Sequence, residues 1–282
     1  MAKNNKRGQR TILDRDHLFQ ATGRGQLAFG GNFVKVERFF DKLFMDLAVR
    51  YAAREHSYSS LISRSLLERL EFFSSFPRLA TYAAPQSELS RKNHVLSPAV
   101  CYHAYGLLKN SVVPEPLCIT AIGKCFRYEG NKLMKTPVRL WDFTMREIIF
   151  FGNPQEVRTI RDQIMKKTEK IAHSVGIAAD IREATDPFFL GSSRGKLLIQ
   201  KMKKLKFELQ ARVGSRENMA IASFNNHEDF FTRKMNIRLP NGKFAHSGCV
   251  AFGIERWAFA FFQQNGEVGR KWPAFVRRGF SA

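Results

Sequence analysis

The sequence predicts an α+β fold, an antiparallel sheet flanked by helices. Three observations lead there. Residues 123–129 and 139–147 read as two antiparallel strands joined by a loop, their side chains alternating faces with a period of two. Residues 34–54 and 157–175 instead repeat apolar side chains at helical spacing. Asn241-Gly242 marks a tight hairpin turn, which joins antiparallel rather than parallel strands. No internal repeat and no linker divides the chain, so residues 34–282 read as one domain behind a loosely ordered segment, 1–33.

The elements follow in order. The opening residues are polar, with a turn at Ala21-Thr22-Gly23 and Gly30-Gly31 ahead of the first helix. The first dozen are expected to be loose. The first helix places Val36, Phe39, Phe40, Leu43, Phe44 and Leu47 on one face. A second helix is expected over 61–74. Pro98 opens the segment around Cys101, and Pro114 and Pro116 bound a turn before the strand at Gly123. The apolar strand end 148–151 meets Asn153-Pro154, a cap and first-turn pair. The helix that follows stops at Gly176. Residues 194–209 read as a basic helix and then a strand, and 221–239 as further strands.

Composition bounds the function. A chain of 282 residues with 44% hydrophobic content and 26 phenylalanines has enough apolar mass for a sizeable core. Net charge is +21, a field that speeds encounters with acidic partners and favours nonspecific binding to nucleic acid. The cations are spread along the chain, with a run at 201–206, as solvated helix faces would have them. No apolar run is long enough to cross a bilayer, and the first ten residues lack the apolar core of a signal peptide, so a cytoplasmic protein is expected. Cys101, Cys118, Cys125 and Cys249 are too far apart in sequence for a CxxC clip. Any metal site must therefore be assembled from distant segments.

The chemistry concentrates in residues 123–147. On the first strand Cys125, Arg127 and Glu129 share a face, while Phe126 and Tyr128 point the other way into a core. On the second, Arg139, Trp141, Phe143, Met145 and Glu147 share a face. Guanidinium forks suit phosphates and a flat ring suits a base. A half-buried hairpin with a salt-bridged solvent face fits the same pattern. No Walker lysine loop and no GxGxxG is present, so phosphate binding has no glycine cradle to rest on.

Phe126-Arg127-Tyr128-Glu129, a loop, then Arg139 and Phe143 resembles motif two of the class II aminoacyl-tRNA synthetases. Residues 251–262 (AFGIERWAFAFF) resemble motif three, a strand that turns at Gly253 into a helix carrying Arg256. The narrower resemblance is to the amino acid:carrier-protein ligases, shortened homologues of the atypical, zinc-dependent seryl-tRNA synthetases. It is carried by AVCYHAY around Cys101, KCFRYEG, RLWDFTMRE, DPFF at Asp186, LKFEL at Leu205, SFNNHEDFF at Ser223, AHSGCVAFGIER and WP at Trp272. No proline lies in residues 58–67, where motif one would carry one, and Ala222 stands where those synthetases hold magnesium with a carboxylate.

The resemblance implies a class II synthetase-type catalytic domain that uses ATP, Mg2+ and Zn2+. Arg127 would hold the α-phosphate and Arg256 would bend the triphosphate, the two being the catalytic pair. Glu129 would accept from the adenine amino group, Phe143 would stack on the ring, and Arg139 would reach the outer phosphates, with Leu140 and Ser223 lining the ATP site. Cys101, Glu147 and Cys249 match the family's zinc ligands, with Glu147 and Asn225 against the substrate. Cys118 and Cys125 are structural in this reading, and His227 and His246 are either ligands or polar wall. The implied reaction joins a small amino acid, glycine or alanine, to the phosphopantetheine thiol of an acidic carrier protein, in a homodimer without tRNA. Two alternatives stay open: a seryl-type synthetase charging tRNA, and an inactive paralogue that only binds a partner.

Overall fold

The computed structural model describes residues 18–88, 93–130, 136–184, 204–214, 217–267, 269 and 272–279. A hairpin of β1 (Phe19–Gly23) and β2 (Gln26–Phe29) leads into α1 (Gly31–Val49). This hairpin lies ahead of Val34, inside the segment expected to be loose. The hairpin holds because Phe19 and Phe29 both pack on Phe33 of α1, at ring centroids 6.1 and 4.5 Å away.

The main sheet is built from β3 (Arg54–His56), β7 (Leu117–Phe126), β8 (Asp142–Gly152), β9 (Ala179–Glu183), β10 (Lys206–Val213), β11 (Glu217–Glu228) and β12 (His246–Gly253). Its order is β3-β7-β8-β12-β11-β10-β9, antiparallel throughout except for the short β3 pairing parallel to β7. Its faces follow from the period of two. On β8, Ile148 and Phe150 enter one core, and Ile149 and Phe151 the other, so the run at 148–151 is apolar without interruption.

The first core is closed by α1, by α5 (Pro154–Ser174) and by the last long helix, α7 (Ile254–Asn265). Phe44 of α1 stacks on Phe252 of β12 at 4.0 Å and 8°. The start of α5 carries a full capping box: the Asn153 side chain accepts from the Glu156 amide, and the Glu156 carboxylate accepts from the Asn153 amide. Arg146 is buried on this face and is held by Asp41 and Glu55. The second core lies under α2 (Arg64–Arg69), α3 (Phe72–Ser75), α4 (Cys101–Leu107), α6 (Phe230–Met235) and a small sheet of β4 (Leu61–Ser63), β5 (Tyr82–Ala83) and β6 (His94–Leu96). A short final helix, α8 (Ala274–Gly279), follows. No helix among the described residues is long and apolar enough to cross a membrane.

Two expectations change. The helix expected over 61–74 is a strand and two short helices, because Leu61–Ser63 pairs with β6 and the backbone at Glu71 turns left-handed (φ 59°) between α2 and α3. Residues 221–239 are not all strand. A bulge between Asn226 and Glu228 ends β11, Glu228 has φ 49°, and α6 begins behind Asp229. Of the basic helix and strand expected over 194–209, the strand is β10, and residues 194–203 lie outside the described residues, as do Asp186 and the loop at 131–135.

Candidate functional site

The face of the sheet that buries Ile149 and Phe151 continues past the helices. Beyond them Met145 pairs with Gly123, and Phe143 with Cys125, so these residues share that face with Glu147, which pairs with Ala251 and Ala121. Two adjoining cavities open there.

The first is lined by Arg127, Glu129, Arg139, Leu140, Phe143, Ser223 and Arg256, all seven residues that the sequence pointed to for ATP. The Arg127 amide continues the β7–β8 ladder by donating to the Trp141 carbonyl at 2.9 Å. Its side chain is anchored by Nε donating to the Pro98 carbonyl at 2.8 Å, with the guanidinium carbon 5.3 Å from the centroid of Phe143. Arg139 forms an ion pair with Glu129. Arg256 stands in the opening turn of α7 and donates to the Ala220 carbonyl at 3.0 Å. Burial, and then the neighbouring Arg127, pull its pKa down to about 10, so it remains a cation at neutral pH. Two guanidiniums brought from segments 129 residues apart, near a helix N-terminus, form a place for anionic oxygens.

The second cavity shares Arg127, Met145, Lys206, Ser223 and Ala251 with the first and holds Cys101, Glu147, Cys249, Asn225 and His227. One ligand atom from each of Cys101, Glu147 and Cys249 lies within 4.8 Å of the others, and all three residues are buried. Helix α4 begins at Cys101, while the two strands hold Glu147 and Cys249 at adjoining positions in the β8–β12 ladder. The Glu147 carboxyl is pushed well above its usual range by burial and then by Cys249. A hydrogen bond between the sulfurs pushes the Cys101 thiol up and the Cys249 thiol down. Glu147 Oε2 and Asn225 Oδ1 are buried without a hydrogen-bond partner. Three buried acids and an unpartnered carboxylate oxygen suit a cation, and two sulfurs with one oxygen are a zinc donor set that leaves a position open. Gly248 precedes Cys249, and a Cβ there would stand 2.5 Å from both the Asn225 carbonyl oxygen and the Phe150 ring. Gly248→Ala should therefore lose roughly 1–3 kcal/mol of stability, read as a lower urea midpoint; an unchanged midpoint would contradict this packing.

Some placements differ from the sequence reading. Tyr128 does not enter a core: it is 38% exposed and meets Trp141 at 4.8 Å. Trp141 likewise leaves the shared face, donating from Nε1 to Thr81 Oγ1 at 2.8 Å, because the regular ladder ends at Phe126 and Asp142 and alternation ends with it. His246 is half-buried, beside Glu228, Asp229, Arg158 and Arg233, and lines neither cavity. Cys118 and Cys125 are buried within cores. Sequence reasoning assigned no role to Lys206 or Glu208. They stand opposite Asn225 and Ser223 and line the first cavity, an ion pair of 3.4 Å between them. Their alternation about Phe207 was the available signal.

Glu255, 1% exposed, also reaches the first cavity. Both its oxygens accept from the Thr144 amide, at 2.7 and 2.8 Å, and Oε1 accepts from Lys124 at 3.3 Å. Burial, and then Glu255, push Glu37 of α1 up to about 7 from the ordinary 4.5. The folded protein then keeps a proton that the unfolded chain releases. That stabilisation is complete below the ordinary carboxyl value and is lost as pH rises through about 7. Glu37→Gln should gain stability relative to the parent protein between pH 5 and pH 8, by a few degrees where roughly 1 kcal/mol moves Tm by 2–4 °C. A difference that stays constant across that range would contradict it.

Comparison with known proteins identifies the family and the fold. Residues 85–265 match the family model described as the tRNA synthetase class II core domain (G, H, P, S and T). The chain is 38% identical over 195 residues to Amino acid--[acyl-carrier-protein] ligase 1 of Bradyrhizobium diazoefficiens, a match covering 68% of this chain and 59% of that protein. To ligase 2 of the same organism it is 32% identical over 244 residues, covering 78% and 72%. Among solved structures, M. kandleri SerRS in complex with A. aeolicus tRNASec superposes with a TM-score of 0.81 at 20% identity, covering 93% of this chain and 57% of that one, a likeness of fold.

Proposed function

This chain belongs to the tRNA synthetase class II core domain family, and on that premise we propose that it activates a small amino acid with ATP and passes it to the phosphopantetheine thiol of a carrier protein. The observation that supports this most is the adjacency of the two cavities, with Arg127 lining both.

The substrate carboxylate attacks the α-phosphorus, the bond to the bridging oxygen breaks, and pyrophosphate leaves with the electron pair. Arg127 meets the charge that develops on the α-phosphate, and Arg256 holds the triphosphate bent. Phe143 stacks on adenine, Glu129 accepts from its amino group, and Arg139, released from Glu129, takes the outer phosphates. Leu140 and Ser223 complete the wall. Asn225 offers its free oxygen to the substrate's amino group. Zinc bound by Cys101, Glu147 and Cys249 would supply a Lewis-acidic position for that amino group. Mg2+ would accompany the triphosphate, without a carboxylate at position 222. In the second step a thiol sulfur attacks the acyl carbonyl, its proton leaves to solvent, and AMP departs.

An amine held beside the triad favours a small side chain, of glycine or alanine type. The +21 charge suits an acidic carrier protein and equally suits tRNA. We place the enzyme in the cytoplasm as a homodimer. The test incubates the chain with ATP and glycine or alanine, supplying a phosphopantetheinylated acyl carrier protein or total tRNA, and weighs the carrier by mass spectrometry. A carrier heavier by one aminoacyl group is expected. Charged tRNA beside an unmodified carrier would replace this reading with its rival.

A further inference from the structure

His227 is not among the atoms that cluster with the triad, yet it is 5% exposed and its Nε2 lies 3.9 Å from Cys249 Sγ. The other ring nitrogen, Nδ1, lies 2.8 Å from the Tyr105 hydroxyl, which is 3.0 Å from Ser247 Oγ. Tyr105 and Ser247 are fully buried. Helix α4 delivers Tyr105 one turn beyond Cys101, and β12 delivers Ser247 two residues before Cys249. Ring contacts with Phe231, 5.0 Å from His227 and 4.9 Å from Tyr105, restrict both side chains.

With Cys249 a metal-bound thiolate and the ring neutral, the protons fall in one order. The sulfur then only accepts, so the nitrogen facing it carries the hydrogen. Nδ1 is left with a lone pair and accepts from the Tyr105 hydroxyl, and the Ser247 hydroxyl turns from the Glu228 carbonyl, 3.4 Å away, to donate to the Tyr105 oxygen. Asn225 Nδ2 approaches the same sulfur at 3.5 Å.

We infer that His227 is a positioning residue: Tyr105 and Ser247 fix its tautomer, and its Nε2–H orients the Cys249 thiolate and strengthens the zinc site. The physical reason is general. N–H groups directed at a ligand sulfur hold its rotamer and spread its charge, and removing such a partner weakens metal binding by about 10–100-fold. The inference rests on the zinc-dependent reading above and concerns residues outside the donor set.

The test uses the full chain and two metals, with no turnover. Zinc affinity is measured by competition with a chromophoric chelator, and the thiolate-to-metal absorption band is recorded after Co2+ substitution. His227→Ala should lose about 10–100-fold in zinc affinity and shift the band. His227→Gln, whose amide N–H can reach toward the sulfur, should recover part of both. Tyr105→Phe keeps the volume and the ring packing but frees the tautomer, so it should weaken zinc binding and shift the band in the same direction. Its near-identical shape guards against a simple folding failure. Parent affinity and an unmoved band in both His227→Ala and Tyr105→Phe would overturn this inference alone. A parent protein that takes up neither metal would overturn the donor set, and this inference with it.

Discussion

Arg127→Ala is expected to reduce amino-acid-dependent pyrophosphate exchange by roughly 10²–10³-fold, the cost of removing one preorganised donor from a developing oxyanion. The fold should survive, because the side chain is half-buried at a cavity wall and its hydrogen bond to the Pro98 carbonyl can be taken over by water. The residue stands where the two cavities meet, so its loss falls on the reacting atoms rather than on affinity for adenine. Arg127→Lys sharpens the test. It keeps the charge but loses the planar fork and the contact over Phe143, so it should recover only part of the rate. Near-normal exchange in Arg127→Ala, at an unchanged unfolding midpoint, would remove the α-phosphate role.

Cys249→Ser is expected to lower zinc content and exchange activity together. A serine hydroxyl remains protonated at neutral pH, so the site would keep one thiolate and one carboxylate. Because ligand deprotonation and metal affinity are coupled, the loss in affinity should be roughly 10²-fold or more. The buried geometry helps here: Ser fills nearly the same space, and the β8–β12 and β11–β12 ladders on either side do not depend on the sulfur. Full zinc occupancy in the variant would exclude Cys249 as a ligand. Zinc loss with undiminished exchange would separate the metal from the chemistry.

Much of this site was legible in the sequence, for a physical reason. Wherever the ladder is regular, alternation puts residues on faces without further information. Phe143, Met145 and Glu147 do share a face, which the pairing of Phe143 with Cys125 sets on the first strand as well. The turn from β12 at Gly253 into α7, and the Asn153 cap of α5, are likewise local events written in local residues. Legibility ends where pairing from afar decides. Leu61–Ser63 leaves a helical pattern because β6 recruits it. Lys206 and Glu208 enter the first cavity only through the register of β10 against β11, which slips at Leu209 and Gln210. Trp141 and Tyr128 lie just past the regular ladder, so the period of two no longer fixes their direction. No short-range pattern could bring His227 to Tyr105, 122 residues away.

The most direct measurement is pyrophosphate exchange by the zinc-loaded chain against each of the twenty amino acids, before and after a chelator strips the metal. The arginine pair beside the Cys101–Glu147–Cys249 triad predicts exchange with glycine or alanine that vanishes on chelation and returns with added zinc. Absence of exchange with every amino acid at stoichiometric zinc, or exchange that persists after all metal is gone, would contradict it.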